Sequence, residues 1–215
     1  MSEPDPATRQ ALLQTVERYY ADRLREFGAT ARGVDWNSAE SQALRFAQLL
    51  HVLPAGADAS TSLLDLGCGY GALLDTLRAR GSAVSYRGYD ISADMIAAAT
   101  ARHGHDTAAR FSTELAAFGP SDVAVASGVF NVKLDTPVDT WHDYVWATID
   151  TLHAVSTRGF AFNMLSTYSD PDRRKASLYY ADPCAVFDRC KRTFSTQVAL
   201  LHDTPLFEFT IVVRK

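Results

Sequence analysis

The sequence predicts an α/β fold, a doubly wound and mostly parallel sheet with helices on both faces. Three observations predict it. From residue 59 onward, short apolar segments alternate with amphipathic ones, which indicates strand–helix–strand units with parallel strands. A glycine-rich turn at 67–71 directly follows the first of these strands. The last two predicted strands are joined by only about five residues, too few for a crossover helix, so one of them must run antiparallel to the others.

The composition is that of one globular domain. The chain has 215 residues, 47% hydrophobic and 21% charged, which argues against disorder. This length fits a single domain, which we divide into an N-terminal helical lid at 1–58 and an α/β core at 59–215. With 21 basic and 25 acidic residues the net charge is −4, so general attraction to a nucleic-acid backbone is disfavoured.

The sequence carries no signal for membrane insertion, secretion or metal binding. No apolar run reaches the roughly 18–20 residues that a membrane span needs, and the acidic, proline-rich N-terminus is unlike a secretory signal. The three cysteines, Cys68, Cys184 and Cys190, form neither a CxxC pair nor a disulfide framework. We therefore expect a cytoplasmic protein with no membrane anchor and no metal site.

The first sixty residues predict two helices. Apolar side chains recur at helical spacing over residues 6–27. A second helix is predicted over residues 38–53, where Asn37 and Glu40 stand in the positions of a capping box.

The rest of the chain alternates between strands and helices, as the fold class requires. Short runs rich in apolar and β-branched residues predict strands at 62–66, 84–90, 108–112, 122–127, 159–165, 195–202 and 208–214. Amphipathic segments predict helices at 72–80, 92–102, 138–154 and 182–193.

The strongest local signal is the turn that follows the first predicted strand. Gly67, Gly69 and Gly71 form a Gly-x-Gly-x-Gly pattern between that strand and a helix. Glycine permits a sharp turn and lets bare backbone approach a ligand, because no Cβ blocks the way. Asp65, at the strand end, can accept hydrogen bonds from loop amides or, through water, from a ligand ammonium group.

A second acidic residue, Asp90, ends the next predicted strand. A carboxylate at that strand tip, beside a glycine turn, can accept hydrogen bonds from both hydroxyls of a ribose. Dinucleotide-binding folds use G-x-G-x-x-G, whereas the third glycine here comes one residue earlier. The pairing therefore favours an adenosine-containing ligand other than a dinucleotide.

Residues 64–71 resemble the first motif of class I S-adenosylmethionine-dependent methyltransferases, and Asp90 falls on the ribose-binding acid of that family. The resemblance covers about residues 60–215. It implies a Rossmann-like, seven-stranded, mostly parallel sheet with an antiparallel last strand. It also implies S-adenosylmethionine as the methyl donor.

The resemblance further implies which residues meet the donor. Gly67 and Gly69 would pass close to its methionyl part, and Asp90 would hold its ribose. The other implied contacts are Cys68 within the turn, Ile91 and Met95 near the adenine, Thr113 and Glu114 at the adenine edge, and Ser127 and Gly128 on the sulfonium side.

The methyl acceptor is less constrained than the donor. Residues 127–135 lack the Asn-Pro-Pro-Tyr pattern of enzymes that methylate nucleobase amino groups. Pro183 and Cys184 resemble a dipeptide of cytosine C5 methyltransferases but follow the fifth strand rather than the fourth. No acidic trio like that of the metal-dependent catechol enzymes is apparent. We therefore favour a small-molecule acceptor, methylated on oxygen or nitrogen, over RNA or protein.

Four side chains are candidates for positioning or activating the acceptor. Methyl transfer from a sulfonium depends mainly on alignment and exclusion of water, and a base is needed only when an acceptor proton must leave early. Asn131 and Lys133 follow the fourth strand, where a solvated loop is the alternative. His142 lies beside the buried face of a helix, where partial exposure without chemistry is the alternative. Tyr168 follows the fifth strand and is expected to wall the pocket.

The N-terminal segment supplies two further candidates. Residues 33–37, with Gln42 and Arg45, resemble a group of small bacterial methyltransferases. We expect residues 10–50 to cover the carboxyl edge of the sheet and keep water out. Trp36 or Arg45 should then contact the donor or acceptor, since the guanidinium can bind the donor carboxylate. For Trp36 a core anchor is the alternative.

Three other functions remain open at this point. They are a methyltransferase that acts on RNA or protein, a nicotinamide-dependent oxidoreductase with a similar sheet, and a non-catalytic subunit that binds the donor and activates a partner. The oligomeric state is left open.

Overall fold

The computed structural model describes residues 6–215 of the chain. The helices are α1 Pro6–Phe27, α2 Ala39–Leu49, α3 Ala72–Ala79, α4 Ala93–His103, α5 Val138–Val155 and α6 Pro183–Thr193. The strands are β1 Ser62–Leu66, β2 Ser85–Tyr89, β3 Ala109–Ser112, β4 Ser121–Ala126, β5 Ser156–Ser166, β6 Tyr180–Ala181, β7 Gln197–Leu201 and β8 Glu208–Arg214. No helix within 6–215 is both long and apolar enough to cross a membrane.

The strands form one sheet in the order β3-β2-β1-β4-β5-β8-β7. β8 lies between β5 and β7 and is antiparallel to both, while the pairs among β3, β2, β1, β4 and β5 are parallel. The predicted fold class and the reversed last strand are confirmed. The two-residue β6, which pairs with the end of β5, makes an eighth strand that was not predicted, because two residues carry no alternating pattern.

β1 lies inside the sheet, between β2 and β4, and the order in which the strands are added reverses at β1. The chain leaves β1 toward β2 on one side, whereas β4 pairs on the other side. Asp65, near the end of β1, pairs with Gly88 of β2 and Val125 of β4. A crevice forms at such a switch point because the two connections depart in opposite directions.

Two apolar clusters hold the helices on the two faces of the sheet. Phe46 and Leu49 of α2 pack with Leu74 of α3 on one face. On the other face, Leu12 of α1 belongs to the same cluster as Trp141 of α5. Burial of these side chains is the main stabilising contribution to the layered fold.

The connection between β3 and β4 is short and contains only a 3-10 turn at Leu115–Ala117. Leu115 and Phe118 of this connection pack against the same cluster as Leu13 and Val16 of α1. α1 therefore covers the sheet face where a crossover helix between β3 and β4 would otherwise lie.

The start of α2 differs from the sequence prediction. Ser38, not Asn37, is the N-cap: its hydroxyl accepts a hydrogen bond from the Ser41 amide at 3.1 Å, and the Ser41 hydroxyl accepts one from the Ser38 amide at 3.3 Å. Ser38 has the extended backbone that an N-cap requires, at φ −159°. The capping box is therefore Ser38–Ser41 rather than Asn37–Glu40. α2 itself ends at Leu49, earlier than predicted, and continues as a 3-10 turn.

Ser38→Ala should lower the free energy of unfolding by about 1 kcal/mol, because the Ser41 amide in the first turn of α2 loses its acceptor. Asn37→Ala is the matched control and should change it by less than about 0.5 kcal/mol. Urea denaturation of both variants measures the difference. Equal effects at the two positions would contradict the assignment of the cap.

Candidate active site

A large cavity opens at the carboxyl edge of the sheet. It encloses about 1200 Å³, including the part open to solvent. Its walls come from α1, the segment around Trp36, the turn after β1, the ends of β2 and β4, and α5. A crevice at the carboxyl ends of the strands is the usual place for a ligand site in a doubly wound sheet.

The glycine turn forms one wall because only glycine fits its backbone. Gly67, Gly69 and Gly71 have φ values of +78°, +54° and +82°. A Cβ on Gly67 would lie 2.6 Å from a side-chain carbon of Val129, which is too close. The Gly67 amide donates to the Tyr89 carbonyl at 2.8 Å and joins the turn to the end of β2.

Asp90 faces this turn across the crevice. Its carboxylate accepts hydrogen bonds from the Gly69 amide at 2.8 Å and the Ser92 amide at 2.9 Å. Burial raises the pKa of Asp90, while the two amide donors act in the opposite direction. Each carboxylate oxygen retains capacity to accept a further hydrogen bond from a ligand.

Asp65 lies beneath the turn and is bonded to a tyrosine. The Tyr86 hydroxyl donates to Asp65 at 2.5 Å. Burial raises the pKa of Asp65 to about 7, the Tyr86 hydrogen bond lowers it, and the charge of Asp90 raises it further. Asp65 therefore exchanges its proton close to neutral pH.

The match to known proteins identifies the family. A family described as a methyltransferase domain matches residues 16–206 of the chain. The chain belongs to this methyltransferase family. The Mycobacterium tuberculosis protein named "Putative methyltransferase Rv1506c" is 51% identical over 154 residues, which cover 72% of this chain and 93% of that protein. The family decides against the nicotinamide-dependent alternative.

Two solved structures share the fold of this methyltransferase at low sequence identity. The N-terminal domain of EvdMO1, solved with S-adenosylhomocysteine and D-fucose, has a TM-score of 0.56 at 15% identity and covers 94% of this chain and 96% of that one. Phosphoethanolamine N-methyltransferase 1 of Haemonchus contortus, solved with phosphoethanolamine and S-adenosylhomocysteine, has a TM-score of 0.62 at 12% identity, with coverage of 100% and 50%. The predicted class I methyltransferase fold is confirmed.

The methyltransferase cavity brings together most of the residues that the sequence proposed for the donor. Those that line it are Trp36, Asp65, Gly67, Cys68, Gly69, Asp90, Ile91, Met95, Ser127 and Gly128. α1 and the Trp36 segment lie at the same edge of the sheet. Their opening and closing as a lid stays a prediction.

Thr113 and Glu114 lie outside the cavity, which corrects their expected place at the adenine edge. Both are exposed. The Ser112 hydroxyl accepts a hydrogen bond from the Glu114 amide at 3.0 Å, which turns the chain after β3. Leu115, the next residue, lines the cavity instead.

Asn131 and Lys133 also lie outside the cavity, because both side chains are engaged by backbone groups. The buried Asn131 amide oxygen accepts a hydrogen bond from the Leu165 amide at 3.2 Å. The Lys133 ammonium donates to the carbonyls of Leu134 and Thr136 at 3.1 and 3.3 Å. Both residues shape the loop after β4, which corrects their assignment as acceptor contacts.

His142 is not placed as a base. Its Nε2 accepts a hydrogen bond from the Trp146 indole at 3.1 Å, and its Nδ1 lies 2.8 Å from the Tyr179 hydroxyl. Both ring nitrogens are therefore occupied outside the cavity. Tyr168 is 68% exposed and packs beside His202, so it does not wall the pocket either.

Arg45 does not reach the cavity, which corrects its expected contact with the donor or acceptor. Its guanidinium makes two hydrogen bonds to the Glu208 carboxylate, at 2.8 and 2.6 Å, and a third to the Ser41 carbonyl at 2.7 Å. The guanidinium lies over the Trp36 ring at 4.0 Å from its centre. The carboxylate partner of Arg45 is therefore within the chain.

Arg45 belongs to a closed network behind the cavity wall. Glu208 accepts a hydrogen bond from the Asn163 amide at 3.3 Å, and Asn163 accepts one from the Gly128 amide at 2.8 Å. A Cβ on Gly128 would lie 2.5 Å from the Trp36 ring. The network thereby holds Trp36 against the end of β4.

A second clamp holds the Trp36 segment to α1. Asp35 accepts hydrogen bonds from the Tyr19 hydroxyl at 2.7 Å and from Arg23 at 2.9 Å. Asp35 adopts the left-handed backbone region at φ 64°, directly before Trp36. Contacts on both sides therefore set the position of the indole.

Sequence reasoning missed the cavity faces of α1 and α5. The missed residues are Arg9, Leu13, Val16, Glu17 and Tyr20 on α1, and Tyr144, Thr148 and Thr151 on α5. The polar positions among apolar ones were the available signal, because a helix face that only packs into a core carries few of them.

Glu208→Gln should lower the free energy of unfolding by about 3–5 kcal/mol, because it leaves the buried Arg45 charge without its partner. Asp188→Asn, at the exposed Arg192 pair, is the control and should cost less than about 1 kcal/mol. Chemical denaturation measures both. A Glu208→Gln variant as stable as the control would show that the pair does not hold the wall.

The raised pKa of Asp65 predicts a pH dependence of stability. Between about pH 4 and pH 7 folded Asp65 keeps a proton that the unfolded chain releases, so the free energy of unfolding should fall as pH rises through this window. The slope should approach about 1.4 kcal/mol per pH unit and be absent from Asp65→Asn.

Denaturation curves from pH 4.5 to 7.5 test this slope. Asp122→Asn is the control: two hydrogen bonds from Ser62 lower the pKa of Asp122, so its contribution is lost only at more acidic pH. Identical slopes for wild type and Asp65→Asn would contradict the assignment.

Proposed function

We propose that this methyltransferase transfers the methyl group of S-adenosylmethionine to an oxygen or nitrogen atom of a small, uncharged molecule. The observation that carries the proposal is the 2.8 Å hydrogen bond from the Gly69 amide to Asp90 beside an open cavity. This bond places a turn without side chains next to a carboxylate that can accept further hydrogen bonds. A ligand that joins an amino acid to a nucleoside requires both features.

The residues around the cavity fit this donor. When bound, S-adenosylmethionine supplies a methyl group on a positively charged sulfur. Gly67 and Gly69 would lie beside its methionyl part, and Asp90 would accept hydrogen bonds from its ribose hydroxyls. Ile91 and Leu115 offer apolar surface to the base. Two solved neighbours, EvdMO1 and the phosphoethanolamine enzyme, contain S-adenosylhomocysteine, which supports the same donor class here.

The end of the cavity at Gly128 favours an uncharged acceptor. The Trp36 ring lies against Gly128, and Val129, the next residue, also lines the cavity, so the surface there is aromatic and apolar. Among residues 6–215, Arg9 of α1 is the one arginine or lysine in the cavity lining. A phosphate or carboxylate on the acceptor would lose hydration without gaining a cation at this end. D-fucose, present with EvdMO1, is an uncharged molecule of this kind.

The basic run after β5 does not supply the missing cation. Arg173 pairs with Asp170 at 3.5 Å, and Arg174 donates to the Ser169 carbonyl at 3.1 Å. Neither lines the cavity. A phosphate-bearing acceptor therefore gains no support from these residues.

The cavity residues favour alignment over acid–base chemistry. No histidine in the described part of the chain lines the cavity. Asp65 is engaged by Tyr86 beneath the turn. The work left to the protein is to hold the acceptor atom in line with the methyl group and to exclude water, with Trp36 and α1 as the covering surfaces.

Asp90→Ala should weaken the binding of S-adenosylhomocysteine by about 1.5–3 kcal/mol, the range for hydrogen bonds to a charged group. Asp94→Ala, at an exposed position in the first turn of α4, should leave the affinity unchanged. Calorimetric titration of folded variants gives both values. Wild-type affinity in Asp90→Ala would contradict the ribose assignment.

The acceptor class is tested with a cell extract and an isotopically methyl-labelled donor. We expect the label in a small product that passes through an anion exchanger, detected by mass spectrometry. Label in RNA, in protein or in a retained anionic product would contradict the proposed acceptor class. Tight donor binding with no labelled product would favour a regulatory subunit.

A further inference from the structure

A buried histidine lies directly behind the third glycine of the turn. His103 is the last residue of α4, and its Nε2 lies 3.0 Å from the Gly71 carbonyl oxygen. A carbonyl oxygen carries no proton, so the Nε2–H group of His103 is the donor of this hydrogen bond. The bond joins the end of α4 to the turn that follows β1.

The imidazole ring fills the space where a side chain on residue 71 would lie. A Cβ on Gly71 would lie 2.8 Å from Cδ2 of His103, which is too close. The ring also stacks on Phe111 of β3, with 5.9 Å between the ring centres and 21° between the planes. Phe111 in turn lies against Gly88 of β2, where a Cβ would be 2.6 Å from the phenyl ring. Packing against the sheet therefore holds the imidazole at the Gly71 carbonyl.

Packing alone does not account for a polar ring at this position. His103 does not line the cavity. Burial lowers the pKa of His103, which favours the neutral ring with a single N–H group. A buried imidazole loses hydration that an aliphatic side chain of similar size would not lose, and the hydrogen bond to Gly71 offsets that loss. The polar feature of His103 is thus spent on the backbone of the turn.

The turn is attached by side chains at two points. Within residues 6–215, the side chains from outside the turn that bond to its backbone are those of Asp90 and His103. Asp90 accepts from the Gly69 amide at 2.8 Å, and His103 donates to the Gly71 carbonyl two residues later. Loss of the second bond would free the end of the turn while Asp90 still holds its middle. Because bare backbone of this turn forms the wall beside the donor, a shift there changes the fit.

We propose that His103 is a positioning residue for donor binding: its hydrogen bond to the Gly71 carbonyl holds the glycine turn in the conformation that receives S-adenosylmethionine. The inference rests on the proposed donor. His103 does not touch the donor and acts through the turn. Its contribution should therefore depend on an N–H group at the place of Nε2, and not on the imidazole as such.

Calorimetric titration with S-adenosylhomocysteine tests the proposal on paired variants. His103→Gln keeps an N–H group, because the amide nitrogen of glutamine lies as many bonds from Cα as Nε2 does, so it should bind within about 2-fold of the wild type. His103→Leu lacks the donor and should bind at least about 5-fold more weakly, the loss expected for one hydrogen bond. His105→Leu, at an exposed position two residues later, is the control and should keep the wild-type affinity.

A third variant decides the question if circular dichroism shows that His103→Leu does not fold. His103→Asn carries the same amide as glutamine on a side chain one bond shorter, so its N–H group should not reach the Gly71 carbonyl. It should therefore bind S-adenosylhomocysteine as weakly as the leucine variant is expected to.

The outcomes separate this inference from the proposed function. Wild-type affinity in folded His103→Leu or His103→Asn would overturn the role of His103 and leave the donor intact. An equal loss in His103→Gln would also overturn it, because the N–H group would then not be responsible, and so would an equal loss in His105→Leu. Failure of the wild type to bind S-adenosylhomocysteine would instead contradict the donor itself.

Discussion

The hydrogen bond from the Gly69 amide to Asp90 is the contact on which the site depends. It joins the turn after β1 to the end of β2 and keeps the crevice between them at a set width. The turn can make this contact because Gly67, Gly69 and Gly71 occupy the left-handed backbone region. The same bond stabilises the charged form of Asp90 and so opposes the rise in its pKa that burial causes.

The rest of the site is arranged around that contact by residues far apart in the sequence. Asp35 ties the Trp36 segment to α1, and Arg45 ties it to Glu208 of the last strand. Asn163 donates a hydrogen bond to Glu208 and accepts one from the Gly128 amide, just after β4. Buried polar groups of this kind require every partner, so the wall is held as a unit. The reversed β8 matters here because it brings Glu208 beside β5.

The sequence predicted the parts of the structure that depend on local pattern. Alternating strands and helices follow from hydrophobic periodicity, and the reversed strand follows from the short connection before β8. The glycine turn was found because a backbone in the left-handed region favours one residue type, and Asp90 was found because it ends the next predicted strand. Contacts between distant residues leave no such signature. Arg45 was expected to bind the carboxylate of the donor. Its actual partner, Glu208, lies 163 residues away in the sequence, and no local pattern links the two. The same limit applies to His142 and Asn131, whose polar atoms serve the fold.

The most direct test of the account compares two glycines that share the left-handed backbone region. A Cβ on Gly69 would lie 3.3 Å from Val34 at the cavity wall, whereas one on Gly119 would meet nothing within 4 Å. Both should stay folded by circular dichroism as Gly→Val variants, and each is then titrated with S-adenosylhomocysteine. The account predicts that Gly69→Val loses binding and that Gly119→Val keeps it. Wild-type affinity in Gly69→Val would show that the donor does not lie on this turn.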